Sequence, residues 1–224
     1  MTADKTVDIQ DLKIVGEGLD DNSIKIMTLD ENTATARTFF WIPAEYADPD
    51  AYPGFELGKE GWFDFDNWEK AQGDFAKIFE EGEGFLLDNA NGAEVTIVYA
   101  GEVVNGATLI PIGALSTIGG NMTPVALDIQ RFVVEGEGLD DNSIKIMTLD
   151  ENTATARTFF WIPADYADPD AYPGFELGKE GWFDFDNWEK AQGDFAKEFL
   201  AGEGFLLDNG NAAEASLKIP SPLE

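Results

Sequence analysis

The chain contains neither cysteine nor histidine. Without cysteine there are no disulfide staples, no thiol nucleophile and no thiolate metal site, although the compartment stays open. Without histidine the usual general base, the commonest zinc ligand and the neutral-pH switch are all missing, so Ser-His and Cys-His hydrolase schemes are excluded. Basic residues are scarce: 14 Lys and Arg stand against 44 Asp and Glu, a net charge of −30. Such a surface repels nucleic acid and anionic membranes. No run approaches the roughly 18 apolar residues of a membrane span, and Met1-Thr2-Ala3-Asp4-Lys5 does not read as a signal peptide. Nucleic acid and membrane insertion are therefore not expected. A cation, a basic protein and a neutral glycan remain open as partners, as does plain solubility in a saline habitat.

What is present is a duplication. Residues 16–90 and 136–210 align at a constant offset of 120 with five mismatches in 75 positions. These are Glu45/Asp165, Ile78/Glu198, Glu80/Leu200, Glu81/Ala201 and Ala90/Gly210. A period of that length is too long for a stacking solenoid unit and matches a self-sufficient domain. Ile78 to Glu198 is an apolar-to-charged change, and Glu80 to Leu200 is its reverse. Either these segments face a contact between copies or between chains, or they drift on a solvated loop.

Residues 101–120 (GEVVNGATLIPIGALSTIGG) occur once. The first copy has no upstream counterpart and the second no downstream one, so only one domain owns the segment. Residues 108–112 read as a strand in which Pro111 is tolerable only at an edge or bulge. We assign the segment to the second domain, with Gly119-Gly120-Asn121 as an internal turn, giving domains of residues 1–100 and 101–224. A domain lacking the strand would expose unpaired backbone, which templates pairing with another chain. Thr108, Ile110 and Ile112, with Ile78, Glu80, Glu198 and Leu200, are thus the candidate assembly or interdomain positions. The asymmetry is what excision from a longer array would leave.

Apolar residues at 44% and aromatics at 12% suffice for ordinary cores. Within one copy, Ile24–Leu29 (IKIMTL) and residues 34–42 (ATARTFFWI) are β-prone runs around a polar turn at 30–33, a hairpin signal. Residues 43–61 carry Asp48-Pro49-Asp50, Tyr52-Pro53-Gly54 and Gly58, marking a long structured loop. In residues 62–66 (WFDFD) alternation puts Phe63 and Phe65 on one face, Trp62 and Asp64 on the other. Residues 67–79 are the one helical candidate, with Trp68, Ala71, Phe75 and Phe79 at helical spacing. Residues 82–87 read as a glycine turn into a strand, and 88–92 as a hairpin turn into a strand at 93–99. Many short strands between turn residues predict an all-β, β-sandwich-like fold, two tandem near-identical domains with at most one short helix each.

Three stretches carry a resemblance: Gly120-Asn121-Met122-Thr123-Pro124 ahead of Leu127-Asp128-Ile129, Gly61-Trp62-Phe63-Asp64 with Trp68, and Gly82-Glu83-Gly84-Phe85 with its copy at 202–205. Over nearly a whole copy the chain resembles a tandem β-rich repeat domain of secreted and surface proteins of environmental and gut bacteria, a family with no assigned activity. The resemblance implies a non-enzymatic extracellular module. The first copy departs from it in lacking the Gly-Asn-Met-Thr-Pro stretch.

Four features could carry chemistry. Asp48 and Asp50, Asp64 and Asp66, and their copies Asp168, Asp170, Asp184 and Asp186 place carboxylates at alternate loop positions, as calcium requires. None matches an EF-hand, and aspartate is equally an ordinary turn residue. No cofactor is required; calcium is the one these loops can take. Trp41, Trp62 and Trp68, with Trp161, Trp182 and Trp188, are either core or sugar-stacking platforms beside hydrogen-bonding Asp and Asn. Paired acids of the glycosidase kind need a separation that sequence does not show, and near-exact duplication fits avidity better than turnover. Arg37 and Arg157, the sole arginines of the repeated blocks, are expected to pair with a carboxylate and fix a loop.

The sequence thus points to a non-enzymatic structural or adhesive surface repeat, extracellular or cell-surface, assembling with itself or with neighbouring repeats by strand exchange or donation. The alternative is a carbohydrate-binding module, calcium-dependent or not. Exposure of the tryptophans and pairing of the sheet edges separate the two.

Overall fold

A computed structural model of the chain describes residues 6–29, 35–80, 82–98, 106–113, 116–141, 143–149, 155–210 and 214–221. The polar turn at 30–33 and the mismatch position Glu81 lie outside them. The chain divides into two compact units, one of residues 1–29, 35–81 and 85–102, the other of 30–34, 82–84 and 103–224. Among the described residues each is an all-β, sandwich-like unit of antiparallel sheets with only short 3-10 turns of helix.

The first unit holds β1 (Val7–Asp8), β2 (Lys13–Gly16), β3 (Ile24–Leu29), β4 (Ala36–Ile42), β5 (Gly61–Asp64), β6 (Glu69–Lys70), β7 (Ile78–Phe79), β8 (Leu86–Asn89) and β9 (Val95–Val98). One layer is a five-stranded sheet in the order β6-β5-β4-β3-β8; the other comprises the pairs β2-β9 and β1-β7. Alternation along β3 sends Ile24 and Ile26 inward, and β4 adds Phe39 and Trp41 to the same face. Trp41 meets Trp62 edge-on at 5.3 Å, and the Trp62 indole N–H donates to the Leu12 carbonyl at 2.9 Å. Gln10 binds the layers together. Its Nε2 donates to the carbonyls of Trp62 (2.8 Å) and Ala71 (2.9 Å), and its Oε1 accepts from Trp62 N–H.

The opposite face of the large sheet is covered too. Ile42 and Phe63 pack with Ala47 and Phe55 of the long loop at 43–60. That loop is held by turns in which Asp48 accepts from Asp50 N–H at 2.9 Å and Gly54 adopts φ 83°, a conformation open to glycine. All four residues of β5 are buried, because both faces of that strand are occupied.

The second unit repeats the plan with β12 (Leu127–Asp128), β13 (Val133–Gly136), β14 (Ile144–Leu149), β15 (Ala156–Ile162), β16 (Gly181–Asp184), β17 (Glu189–Lys190), β18 (Glu198–Phe199), β19 (Gly204–Asn209) and β20 (Ala215–Ile219). It carries two further strands from the segment that occurs once, β10 (Thr108–Ile112) and β11 (Thr117–Gly120). Its sheets run β11-β19-β14-β15-β16-β17, β10-β20-β13 and β12-β18. β10 is an edge strand, so Pro111 forfeits no central ladder bond.

Three local expectations are corrected. Gly119 and Gly120, read as an internal turn, belong to β11 and pair with Phe205 and Gly204. Residues 67–79 form no helix: β6, a 3-10 turn at Gly73–Phe75 and β7 replace it. Trp68 and Gly73 both sit at positive φ (56° and 58°), which a right-handed helix does not admit. Helical spacing of aromatics was here the by-product of separate turns. Nor is 88–92 a hairpin turn, since β8 pairs with β3 and β9 with β2, and the turn passes the chain from one layer to the other.

Candidate functional site

The most unusual local geometry lies in the four-residue loop between β5 and β6, whose ends pair as Asp64 with Glu69. Asp64 is fully buried. Its Oδ1 accepts from the backbone N–H groups of Asp66 (3.0 Å) and Asn67 (3.2 Å), and its Oδ2 from the Asn67 side-chain amide (2.7 Å) and from Arg37 Nη2. Burial alone would push this carboxyl up. The hydrogen bonds from Arg37 and Asn67 outweigh it and hold the carboxyl below its ordinary value. Arg37 also donates to the Phe75 carbonyl at 3.1 Å and lies over the Phe39 ring. The expected arginine–carboxylate pair is therefore present, made through one guanidinium nitrogen.

This carboxylate-centred turn closes the loop tightly enough to force Trp68 to φ 56°. A bulky residue in the left-handed region is a true outlier, and such strain collects at functional positions. The loop tip is fixed on β4, with Phe65 N–H donating to the Thr38 carbonyl (3.0 Å) and Thr38 N–H to Asp66 Oδ2 (2.7 Å). Trp68 is 56% exposed and Phe65 49%. Their rings lie 5.8 Å apart; Trp68 stands edge-on to buried Phe63 at 5.2 Å, and Phe65 edge-on to Phe40 at 5.2 Å. The result is an exposed aromatic platform of two rings set edge to face at 64°, with Asp66, Asn67 and Glu69 in the same loop and its closing strand.

The second unit reproduces it. Trp188 has φ 55° and 55% exposure, Phe185 lies 5.8 Å away, and Asp184 takes the same donors from Arg157, Asp186 and Asn187. Identical sequence alone gives identical turns, so the platform is a property of the repeat.

The other sequence candidates fall elsewhere. Trp41, Trp62, Trp161 and Trp182 are core residues, at most 2% exposed, and offer no ring face for stacking. Trp161 only edges a shallow open depression of about 600 Å³ that Leu139, Tyr166 and Glu180 also line. Asp48 and Asp168 cap exposed turns, Asp50 and Asp170 supply the N–H groups those caps accept, and Asp66 and Asp186 accept from β4 and β15 backbone. With Asp64 and Asp184 committed to arginine, six of these eight carboxylates have structural partners, Asp50 and Asp170 contributing backbone N–H alone, and among the described residues no three acidic groups converge on a metal position.

Among the assembly candidates, Thr108, Ile110 and Ile112 are buried on β10 within the second unit. Ile78 and Glu198 are exposed at the starts of β7 and β18, opposite Asp8 and Asp128. Glu80 is exposed, and so is Leu200, whose carbonyl accepts from Asn121. Tyr52 was not singled out by its chemistry, yet its hydroxyl binds Asp21; burial and that carboxylate push it up to about 12. The signal was faint: a tyrosine in a loop whose partner is 31 residues away.

No family model, curated protein or solved structure matches the chain.

Proposed function

We propose that the chain is a non-enzymatic adhesive repeat module of the cell surface or extracellular space, and that it adheres through the Phe65–Trp68 platform and its copy at Phe185 and Trp188. The observation that carries this is the strained, half-exposed tryptophan, held on an aromatic stack in both units. A chain that keeps a large ring at positive φ and in water forgoes both conformational and burial stability, which a contact to a ligand would offset.

A neutral glycan is the ligand class whose chemistry fits. The apolar face of a pyranose can stack on one of the two exposed rings, which stand edge to face at 64°, its hydroxyls match the polar residues of the loop, and a chain of net charge −30 does not repel it. Two equal platforms on one chain convert a weak site into avid attachment to a repeating polymer. The carboxylates of Asp48, Asp64, Asp66 and their copies serve turns, strand backbone and an ion pair, which favours binding over acid–base turnover.

Retention of the chain on insoluble neutral polysaccharides, cellulose and chitin among them, tests this. Trp68→Ala or Trp188→Ala alone should weaken retention by about tenfold or more, and the double substitution should abolish it. Retention unaltered in the double variant, or none by the parent on any polysaccharide, would overturn the proposal.

A further inference from the structure

Near-identical sequence in the two units is packed differently at one place, and the difference defines a missing partner. In the second unit β19 lies between β14 and β11, and β20 between β13 and β10. Among the described residues of the first unit, β8 pairs only with β3 and β9 only with β2. The same side chains register the change. Leu207 is 0% exposed and its counterpart Leu87 42%; Phe205 is buried and Phe85 only half so. Asn209 is buried, donating to the Ile112 carbonyl, whereas Asn89 is exposed and turns to Ala93.

What closes the second unit is β10. Its alternation buries Thr108, Ile110 and Ile112 and leaves Leu109 and Pro111 outside. Ile110 stands opposite Leu217 and Ile112 opposite Ala215. At the offset of 120 those positions in β9 are Ile97 and Val95, both only partly buried. The edge offered by β9 is Val95-Thr96-Ile97-Val98, without charge, and β10 is equally uncharged. In so acidic a chain, an uncharged donor avoids the repulsion that an acidic one would meet.

We propose that the open edge of β9 accepts an extended strand of the β10 class from another polypeptide, antiparallel, with its apolar residues opposite Val95 and Ile97. The donor comes from outside because β10 of this chain is already held by β20. Main-chain pairing gives the affinity, and the alternate apolar side chains entering the half-open core give the register. This goes beyond the adhesive reading and stands on the pairing of the sheet edges alone.

The test uses the whole chain and a labelled synthetic peptide of residues 106–113 (GATLIPIG), followed by fluorescence anisotropy. Saturable one-to-one binding is expected, and a peptide carrying Ile110→Asp and Ile112→Asp should bind more than about 100-fold more weakly, since it would bury two carboxylates. The cysteine-free chain permits a register check: Pro111 faces Ser216 in the second unit, and the counterpart of Ser216 is Thr96. A Thr96→Cys chain should form a disulfide with a Pro111→Cys peptide, and an Ala107→Cys peptide should not. Absence of saturable binding, equal binding of the Asp peptide, or equal disulfide yield from both cysteine peptides would overturn the inference. If the peptide fails while Trp68→Ala with Trp188→Ala still abolishes retention on polysaccharide, adhesion stands and strand acceptance falls. If the peptide binds and retention is absent, the reverse holds.

Discussion

Asp64 and Arg37 form the joint on which the exposed loop turns. Asp64→Ala removes the acceptor of four donors and leaves a guanidinium half inside the sheet, which should cost about 3 kcal/mol in a urea titration; a change within about 0.5 kcal/mol would contradict the role given to the pair. The Asp64 carboxyl is held below its ordinary 3.8, so its contribution is whole above that value and is lost as pH falls through the lowered one. Tyr52 and Tyr172 act at the other end of the scale. Burial and the Asp21 and Asp141 carboxylates raise both hydroxyls from 10.0 to about 12. A phenol harder to ionise when folded stabilises the fold below pH 10 and loses that contribution between pH 10 and 12. Tyr52→Phe with Tyr172→Phe should therefore flatten the fall in thermal midpoint across that interval. A fall as steep as the parent's would refute the assignment. Of these groups the arginine pair was legible, because a single arginine amid many carboxylates has few other fates. The left-handed Trp68 was not, since nothing in Asp-Asn-Trp announces a turn closed by a carboxylate from within the core.

Strands were read more surely than the segments between them. Alternation located β3 to the residue and β4 to within two, and it sorted Trp62 from Phe63 correctly because β5 is packed on both faces. It failed where aromatics at spacings of three and four imitated a helix across β6, a 3-10 turn and β7. Periodicity reports burial, and burial at those spacings also arises from a chain that folds back under a sheet. β10 offers a direct test of its assigned place. Ile110→Ala should destabilise the second unit by about 3 kcal/mol, and Pro111→Thr, on the exposed side of an edge strand, should shift it by less than about 0.5 kcal/mol. Equal effects would mean that β10 does not pack as described.

At the scale of the whole molecule, duplication was plain in the sequence, as was the single occurrence of residues 101–120. Their physical weight was not, because a sequence shows that a segment is missing without showing which side chains it would have covered. The molecule supplies its own control in FLLDN, at 85–89 and again at 205–209: same residues, the same preceding glycine with Ala90 against Gly210 after it, different cover. Local opening free energy follows that cover rather than composition. Hydrogen exchange followed by mass spectrometry on the intact chain compares the two segments directly. The backbone amides of 85–89 should exchange at least about tenfold faster than those of 205–209, and the peptide of residues 106–113 should narrow the gap. Equal protection of the two segments in the free chain would contradict an open first unit.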